Sequence, residues 1–430
     1  MTEAVAGDAS RRRHESLTQL DVTHSLRRYL REWFREIRAA VDESGEPFIV
    51  AGANTPHEIF EAMDIPYMTD VWYAGLVAAR KQSAHYSGLL ADLGFHDGLS
   101  RYSALAYAVA VEDGGDKPWG GFPKPCLVVC SPATGVGSDL LADHYQVPFF
   151  GIERPVETRF NASWWESAHW DWEDLEGSGR IDFMVEQIEE LIALTESITG
   201  RRLDRDRLRE VVDRSNVQQE YFCDVRDMLA GADKLPVRLG EAMSQIMGIQ
   251  WHRGTDWAVR QAREFRDEVR ARVEAKAWVC ENETYRLTYI GRGLWQQLDF
   301  FADFEASHGA VFVRSNYTSF PCDAYLRYRT LDPVRNLAAR YATFNDRLHL
   351  PPGPGPWTAH EAQTHRLSGA IQLTADFGQA FITHSLESAG VPVLSLATDA
   401  VDARAWDGEQ MRERVASFIE NRLEPLAVRS

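Results

Sequence analysis

The residues with the most to offer chemically lie in one loop, Ser131-Pro132-Ala133-Thr134-Gly135-Val136-Gly137-Ser138. Gly135 and Gly137 let the backbone approach a ligand closely. The hydroxyls of Ser131 and Thr134 can donate hydrogen bonds. Ser131, Thr134, Gly135 and Gly137 are therefore the first candidate binding residues, with an ordinary ligand-free turn as the alternative. Arg292, between Gly291 and Gly293, is a second candidate, because a guanidinium flanked by glycines suits a phosphate. Cys126, Cys130, Cys223, Cys280 and Cys322 are odd in number and contain no CxxC pair, so no disulfide framework is expected. Four of them read as packing residues, and Cys322, after Pro321, reads as a loop residue. His360 and His365 lack the four-residue spacing of a helical zinc pair, and with Glu361 they read as a solvated helix face. Tyr317, Tyr325 and Tyr328 read as a surface for a partner.

These residues must be held by regular elements. The key loop follows the apolar run Cys126–Cys130 and precedes an amphipathic turn, Ser138–His144, and a second apolar run, Val147–Ile152. That order predicts strand, loop, helix and strand of a buried parallel sheet. In such sheets ligands sit in the loops leaving the carboxyl ends of the strands. Upstream, a helix is predicted over Thr18–Val41, a strand at Phe48–Ala51, a helix at His57–Met63 and a strand at Ile65–Met68. One long helix is predicted over Trp72–Leu93 and a shorter one over Tyr102–Val111. Trp164, Trp165, Trp170 and Trp172 read as fastenings of a loop or a domain contact, with the lining of an aromatic substrate pocket as the alternative. Residues 180–277 carry only helical periodicity. Strand signals return at Tyr285–Ile290, Ala310–Val313, Ala370–Leu373 and Val391–Leu396. Helices are predicted at Leu294–Ser307, Val334–Phe344, His360–Leu367, Phe377–Ser388 and Gly408–Arg422, and Pro351–Pro356 is predicted as a loop.

The predicted fold is thus α/β, with two flavodoxin- or Rossmann-like parallel-sheet domains facing each other. The expected domains are an N-terminal tail and helix (1–45), a first α/β domain (46–175), a helical connecting segment (176–280) and a second α/β domain (281–430). A length of 430 residues suits two or three such units. A net charge of −18 argues against a nucleic-acid binder. No stretch reads as a secretory signal or a membrane span, and the cysteine usage points to a reducing cytoplasm.

A set of short motifs in fixed order goes further. They are Thr55-Pro56-His57-Glu58-Ile59 with Met63-Asp64-Ile65-Pro66, and Leu194-Thr195-Glu196-Ser197-Ile198-Thr199-Gly200-Arg201-Arg202-Leu203 with Leu208-Arg209-Glu210. Then come Asp332-Pro333 with Leu337-Ala338, Glu387-Ser388-Ala389-Gly390-Val391-Pro392-Val393-Leu394 with Asp399, and Arg412-Glu413-Arg414 through Phe418-Ile419-Glu420. Over roughly residues 46–423 the chain resembles the benzoyl-CoA reductase and 2-hydroxyacyl-CoA dehydratase family. The resemblance implies a heterodimer of related subunits, each with a [4Fe–4S] cluster held by three cysteines between two flavodoxin-like halves. It also implies a separate ATP-hydrolysing activator that injects one electron, and an acyl-CoA that is dehydrated or ring-reduced.

The sequence departs from that pattern where the cysteines should be. The three positions fall at Ser100, Gly135 and Gly378, and none can supply a thiolate. The expectation is therefore a subunit with no metal or cofactor of its own. It would form an acyl-CoA pocket beside a homologous partner that carries the [4Fe–4S] cluster, with Arg292 meeting a CoA phosphate. Two alternatives stand beside it. One is a non-redox acyl-CoA enzyme whose Ser131–Ser138 and Asp376–Gln379 loops bind the thioester, with Glu58, Asp376 and His384 as acid or base groups. The other is a purely structural partner without a ligand.

Overall fold

A computed structural model describes residues 17–95, 101–131, 137–153, 163–167, 177–323, 325, 327, 332–342, 354–374 and 379–427. An amphipathic helix, α1 (Asp21–Asp42), leads into the first α/β half. That half runs β1 (Ile49–Ala51), α2 (His57–Ala62), β2 (Tyr67–Met68), α3 (Asp70–Ala79), α4 (Ser83–Asp92), α5 (Arg101–Val111), β3 (Leu127–Cys130), α6 (Ser138–Tyr145) and β4 (Phe149–Gly151). Four long helices follow: α7 (Ser178–Thr199), α8 (Arg205–Gly231), α9 (Leu239–Gln250) and α10 (Asp256–Glu274). The second half runs β5 (Tyr285–Ile290), β6 (Ala310–Ser315), α11 (Asn316–Asp323), α12 (Pro333–Ala342), α13 (Pro354–Thr364), β7 (Gly369–Leu373), α14 (Gln379–Ser388), β8 (Val393–Leu396) and α15 (Gly408–Phe418).

Both sheets are four-stranded and every pairing is parallel, in the orders β2-β1-β3-β4 and β6-β5-β7-β8. The predicted α/β class with two parallel sheets is therefore present. Both orders have the same form, first strand inside second, then third and fourth. The strand order reverses between β1 and β3 in one sheet and between β5 and β7 in the other. Those reversals open a crevice at the carboxyl ends of the strands.

The strands are buried because both faces are covered. Ile49, Ala51, Leu127 and Val129 share one core with Leu287, Tyr289, Ile371 and Leu373 of the second sheet and with α7 and α8. Val50 and Val128, on the opposite face, pack with Tyr73 of α3 and Leu105 of α5. Val311, Val313 and Ala370 pack with α8, α10 and α14. The two halves are thus joined by a continuous apolar core through the middle helices.

Several local expectations are corrected. The single helix over Trp72–Leu93 is two helices, broken where Lys81 adopts a left-handed φ of 62°. Leu294–Ser307 is a tight 3-10 turn, Leu298–Ala302, and one short helical turn, Glu305–His308. Phe300, Phe301 and Phe304 are all buried there, so packing overrides the helical period. The loop carrying Cys322 is helix α11, with Pro321 inside it. The Pro351–Pro356 loop ends early, because α13 starts at Pro354.

Candidate functional site

The turn after β1 shows what the Thr55-Pro56-His57-Glu58 motif does. Thr55 Oγ1 donates to the Gly52 carbonyl at 2.8 Å, and His57 Nε2 hydrogen-bonds the same oxygen at 2.9 Å. Gly52 itself must be glycine, since a Cβ there would lie 2.8 Å from Cys130 Sγ at the end of β3. Glu58 is fully buried. Its Oε2 accepts from Tyr341 Oη at 2.8 Å, and its Oε1 lies 3.5 Å from Arg253 Nε and 3.4 Å from Arg340 Nε. Arg253 also donates to the Thr55 carbonyl at 2.8 Å. Burial and the Arg253 charge push the His57 imidazole well below its ordinary range, so it stays neutral. The motif therefore ties β1 and α2 of the first half to the turn after α9 and to α12 of the second half. Glu58 is enclosed in this ion cluster rather than facing the crevice.

The crevice is built from other residues. Ser131 is buried at the carboxyl end of β3. Gly137 has a φ of 132°, and a Cβ on it would meet the Ser103 carbonyl at 3.0 Å, so α6 can start against α5 only through a glycine. The Gly137 amide donates to Asp139 Oδ1 at 3.0 Å, which commits it to its own helix end. Thr134 and Gly135 lie outside the described residues, as do Ser100, Asp376 and Gly378. Of their neighbours, Arg101 and Tyr102 begin α5, Ser131 and Gly137 flank the first loop with Gly137 against Ser103 of α5, and Thr374 follows β7. Arg101 Nε lies 3.8 Å from Asp402 Oδ2, beyond β8. The Arg292 guanidinium sits 5.4 Å from the centre of the Tyr102 ring, and Trp295 Nε1 donates to Tyr102 Oη at 2.7 Å. The loop after β5 therefore meets the start of α5 directly, and Arg292 stands at the crevice. His384 does not: it is exposed on α14.

Asp70 was not singled out from the sequence. It opens α3 directly after β2, is 2% exposed, and accepts hydrogen bonds from Ser138 Oγ and, at 2.8 Å, from the Val71 amide. Burial pushes its carboxyl from the ordinary 3.8 up to about 6, against the pull of those hydrogen bonds. A buried carboxyl that changes charge near neutral pH has the proton affinity of an acid or base group. The available signal was the Thr69-Asp70 pair after a short apolar run, an N-cap preceding a helix.

Other readings are corrected by burial. Glu361 and His365 form no solvated face. Both are buried, with Glu361 Oε2 3.3 Å from Arg314 Nε and 3.6 Å from His365 Nε2. Burial alone would raise the Glu361 carboxyl, but the Arg314 charge and the His365 contact hold it down at about 2. Tyr325 is 1% exposed, stacked beside Arg340, and offers no partner surface. Tyr317 is partly buried against the main core, and Tyr328 lies outside the described residues. Trp164 is buried near Trp357 and Trp165 stacks on His360, as a fastening should; Trp170 and Trp172 lie outside the described residues.

A thiolate-held cluster does not fit the donors that the described residues bring to the crevice. All five cysteines lie among those residues, all as free thiols. Cys130 alone ends a strand at the crevice. Cys126 packs into the main core, Cys280 into the core around α8–α10, and Cys223 and Cys322 pair with each other across α8 and α11. Among the described residues no three His, Cys, Asp or Glu side chains converge as a metal site. No described helix is long and apolar enough to cross a membrane.

Two parallel sheets of matching strand order, sharing an apolar core with a helical middle, define a double α/β protein. The chain belongs to the family described as 2-hydroxyglutaryl-CoA dehydratase, D-component, whose model matches residues 53–421. It is similar to the (R)-2-hydroxyisocaproyl-CoA dehydratase alpha subunit of Clostridioides difficile, 21% identical over 88% of this chain and 90% of that one. The (R)-phenyllactyl-CoA dehydratase alpha subunit of Clostridium sporogenes is 20% identical over the same shares, 88% and 90%. One of the benzoyl-CoA reductase subunits of Thauera aromatica is 26% identical over 57% of this chain, an alignment spanning 62% of that protein.

Proposed function

We propose that the protein is one subunit of a heteromeric enzyme of the 2-hydroxyacyl-CoA dehydratase and benzoyl-CoA reductase type. It lines the acyl-CoA pocket and carries no [4Fe–4S] cluster of its own. The single observation that carries this reading is the family match across residues 53–421, which takes in every strand but β1 and the whole helical middle. The cluster-free part is supported by the serine and glycines at positions 100, 135 and 378 and by the scattered cysteines. The electron-carrying cluster then belongs to a homologous partner, reduced by an ATP-dependent activator. Within this chain, Arg292 offers a cation at the crevice and Ser131 a hydroxyl. Co-purification from the native host, with iron and sulfide measured on the complex and on this chain alone, tests it. The expected result is a cysteine-bearing relative in the complex and no iron on this chain. About four iron and four sulfide per isolated chain would overturn it.

Asp70 favours a second reading, in which the isolated chain performs non-redox chemistry on an acyl-CoA. A buried carboxyl of pKa about 6 suits proton transfer at neutral pH. Turnover of an acyl-CoA by the pure chain, abolished in Asp70→Asn, would establish it; an inert chain that acts only with its partner would reject it.

A further inference from the structure

Beside the crevice lies a cavity of about 230 Å³ between α1, α3, α9 and the loop after β5. Its walls are mainly aromatic and aliphatic, with Trp72, Trp119, Trp251, Trp295 and Tyr102 the large side chains. Trp72 and Tyr102 belong to the helices that open at the crevice, α3 and α5, so the cavity starts where the ligand loops end.

Three features mark this space as built. Gly75 lies in the middle of α3, where glycine weakens a helix. A Cβ there would lie 3.2 Å from Trp295 Cδ1, so the glycine lets that indole form a wall. Gly248, inside α9, repeats the device: its Cβ would be 2.8 Å from Leu26 Cδ1 of α1. Trp119 adopts φ 50° and ψ 31°, a left-handed conformation unusual for a bulky side chain, and its ring lines the cavity. Strain of this kind gathers at ligand sites.

The hydroxyls and the guanidinium of the lining are engaged elsewhere. Thr23 Oγ1 donates to Glu241 at 3.1 Å, Ser244 Oγ to the Gly240 carbonyl at 2.7 Å, and Arg27 Nη2 to Thr18 Oγ1 at 2.9 Å. Trp295 Nε1 is spent on Tyr102. An occupant therefore gains mainly from contact area and ring stacking against the indoles. Benzene fills an apolar cavity of roughly 150 Å³, so this one holds a ring with a few further carbons.

We propose that this cavity seats the acyl part of the substrate and that the acyl group is aromatic, a single ring carried on a short chain. The proposal rests on the acyl-CoA reading above and adds the selection of the acyl group. A flat ring fits between indole walls, whereas a short aliphatic chain leaves most of the volume unfilled.

The test is equilibrium binding of 3-phenylpropanoyl-CoA and of butanoyl-CoA to the full chain. Ser244→Phe fills the cavity from α9 and gives up only a bond within its own helix. Ala79→Trp, at an exposed lining position, narrows the entrance without touching the core. The phenylpropanoyl thioester should bind at least tenfold tighter than the butanoyl one. Either variant should weaken the phenylpropanoyl thioester several-fold more than butanoyl-CoA and so remove that advantage. Equal binding of the two thioesters, or equal weakening of both by the variants, overturns the aromatic seat. The acyl-CoA reading fails separately if neither thioester binds while indole alone still raises the melting temperature. That outcome would also overturn the acyl group as occupant.

Discussion

Replacing Asp70 by asparagine should make the protein more stable at pH 8 and, if Asp70 transfers a proton, less active. Asparagine has nearly the same shape; its Oδ1 can still accept from the Val71 amide, and its Nδ2 can donate to the Ser138 hydroxyl once that hydroxyl turns to accept. What disappears is a buried negative charge. The Asp70 carboxyl binds its proton more tightly folded, near pH 6, than unfolded, near 3.8. A group with a raised folded pKa costs nothing while protonated in both states. Its penalty grows as pH rises from about 4 and is complete above about 6. The shift corresponds to about 3 kcal/mol at pH 8, falling to about 1 kcal/mol near pH 4.5. For a chain of this length, 3 kcal/mol moves the midpoint by roughly 3 °C. Thermal unfolding of wild type and Asp70→Asn, paired at pH 8 and pH 4.5, reads this directly. The reasoning is refuted if the variant is no more stable at pH 8, or if its advantage does not shrink in acid. A variant that gains stability and loses activity would mark Asp70 as kept for function.

Two further outcomes follow from the contacts between the halves. Glu58→Gln leaves the buried guanidinium groups of Arg253 and Arg340 without their carboxylate, which should cost about 3–5 kcal/mol in urea unfolding; a loss below about 1 kcal/mol would show that the cluster is not a fastening. Trp295→Phe removes the indole donor to Tyr102 and should cost about 1 kcal/mol, while also enlarging the aromatic cavity. Its signature is weaker binding of the phenylpropanoyl thioester with butanoyl-CoA unchanged, and equal binding by the variant and wild type would count against the wall role of Trp295.

Much of the fold was legible in the chain. Runs such as Leu127–Cys130 and Tyr285–Ile290 are buried on both faces, so their apolar, β-branched composition identifies strands without help from neighbours. The long middle helices announce themselves by period, and Gly200 and Asp204 mark a stop and a start that the structure keeps. Strand order alone also fixes where the loops after β3 and β5 leave their sheets, which is why Ser131 and Arg292 could be placed at strand ends from the sequence. What the sequence could not carry was the meaning of its charged residues. Glu58, Glu361 and His365 look the same in one dimension whether they face water or a buried arginine. Arg253, Arg314 and Arg340 come from far along the chain, and only the folded packing brings them to those carboxylates. Asp70 is the same case in reverse: an ordinary helix-opening aspartate became a titrating group because packing buried it against Ser138 of α6. Burial and long-range approach belong to the tertiary structure, and they decide which of a chain's polar residues hold it together and which are left to act.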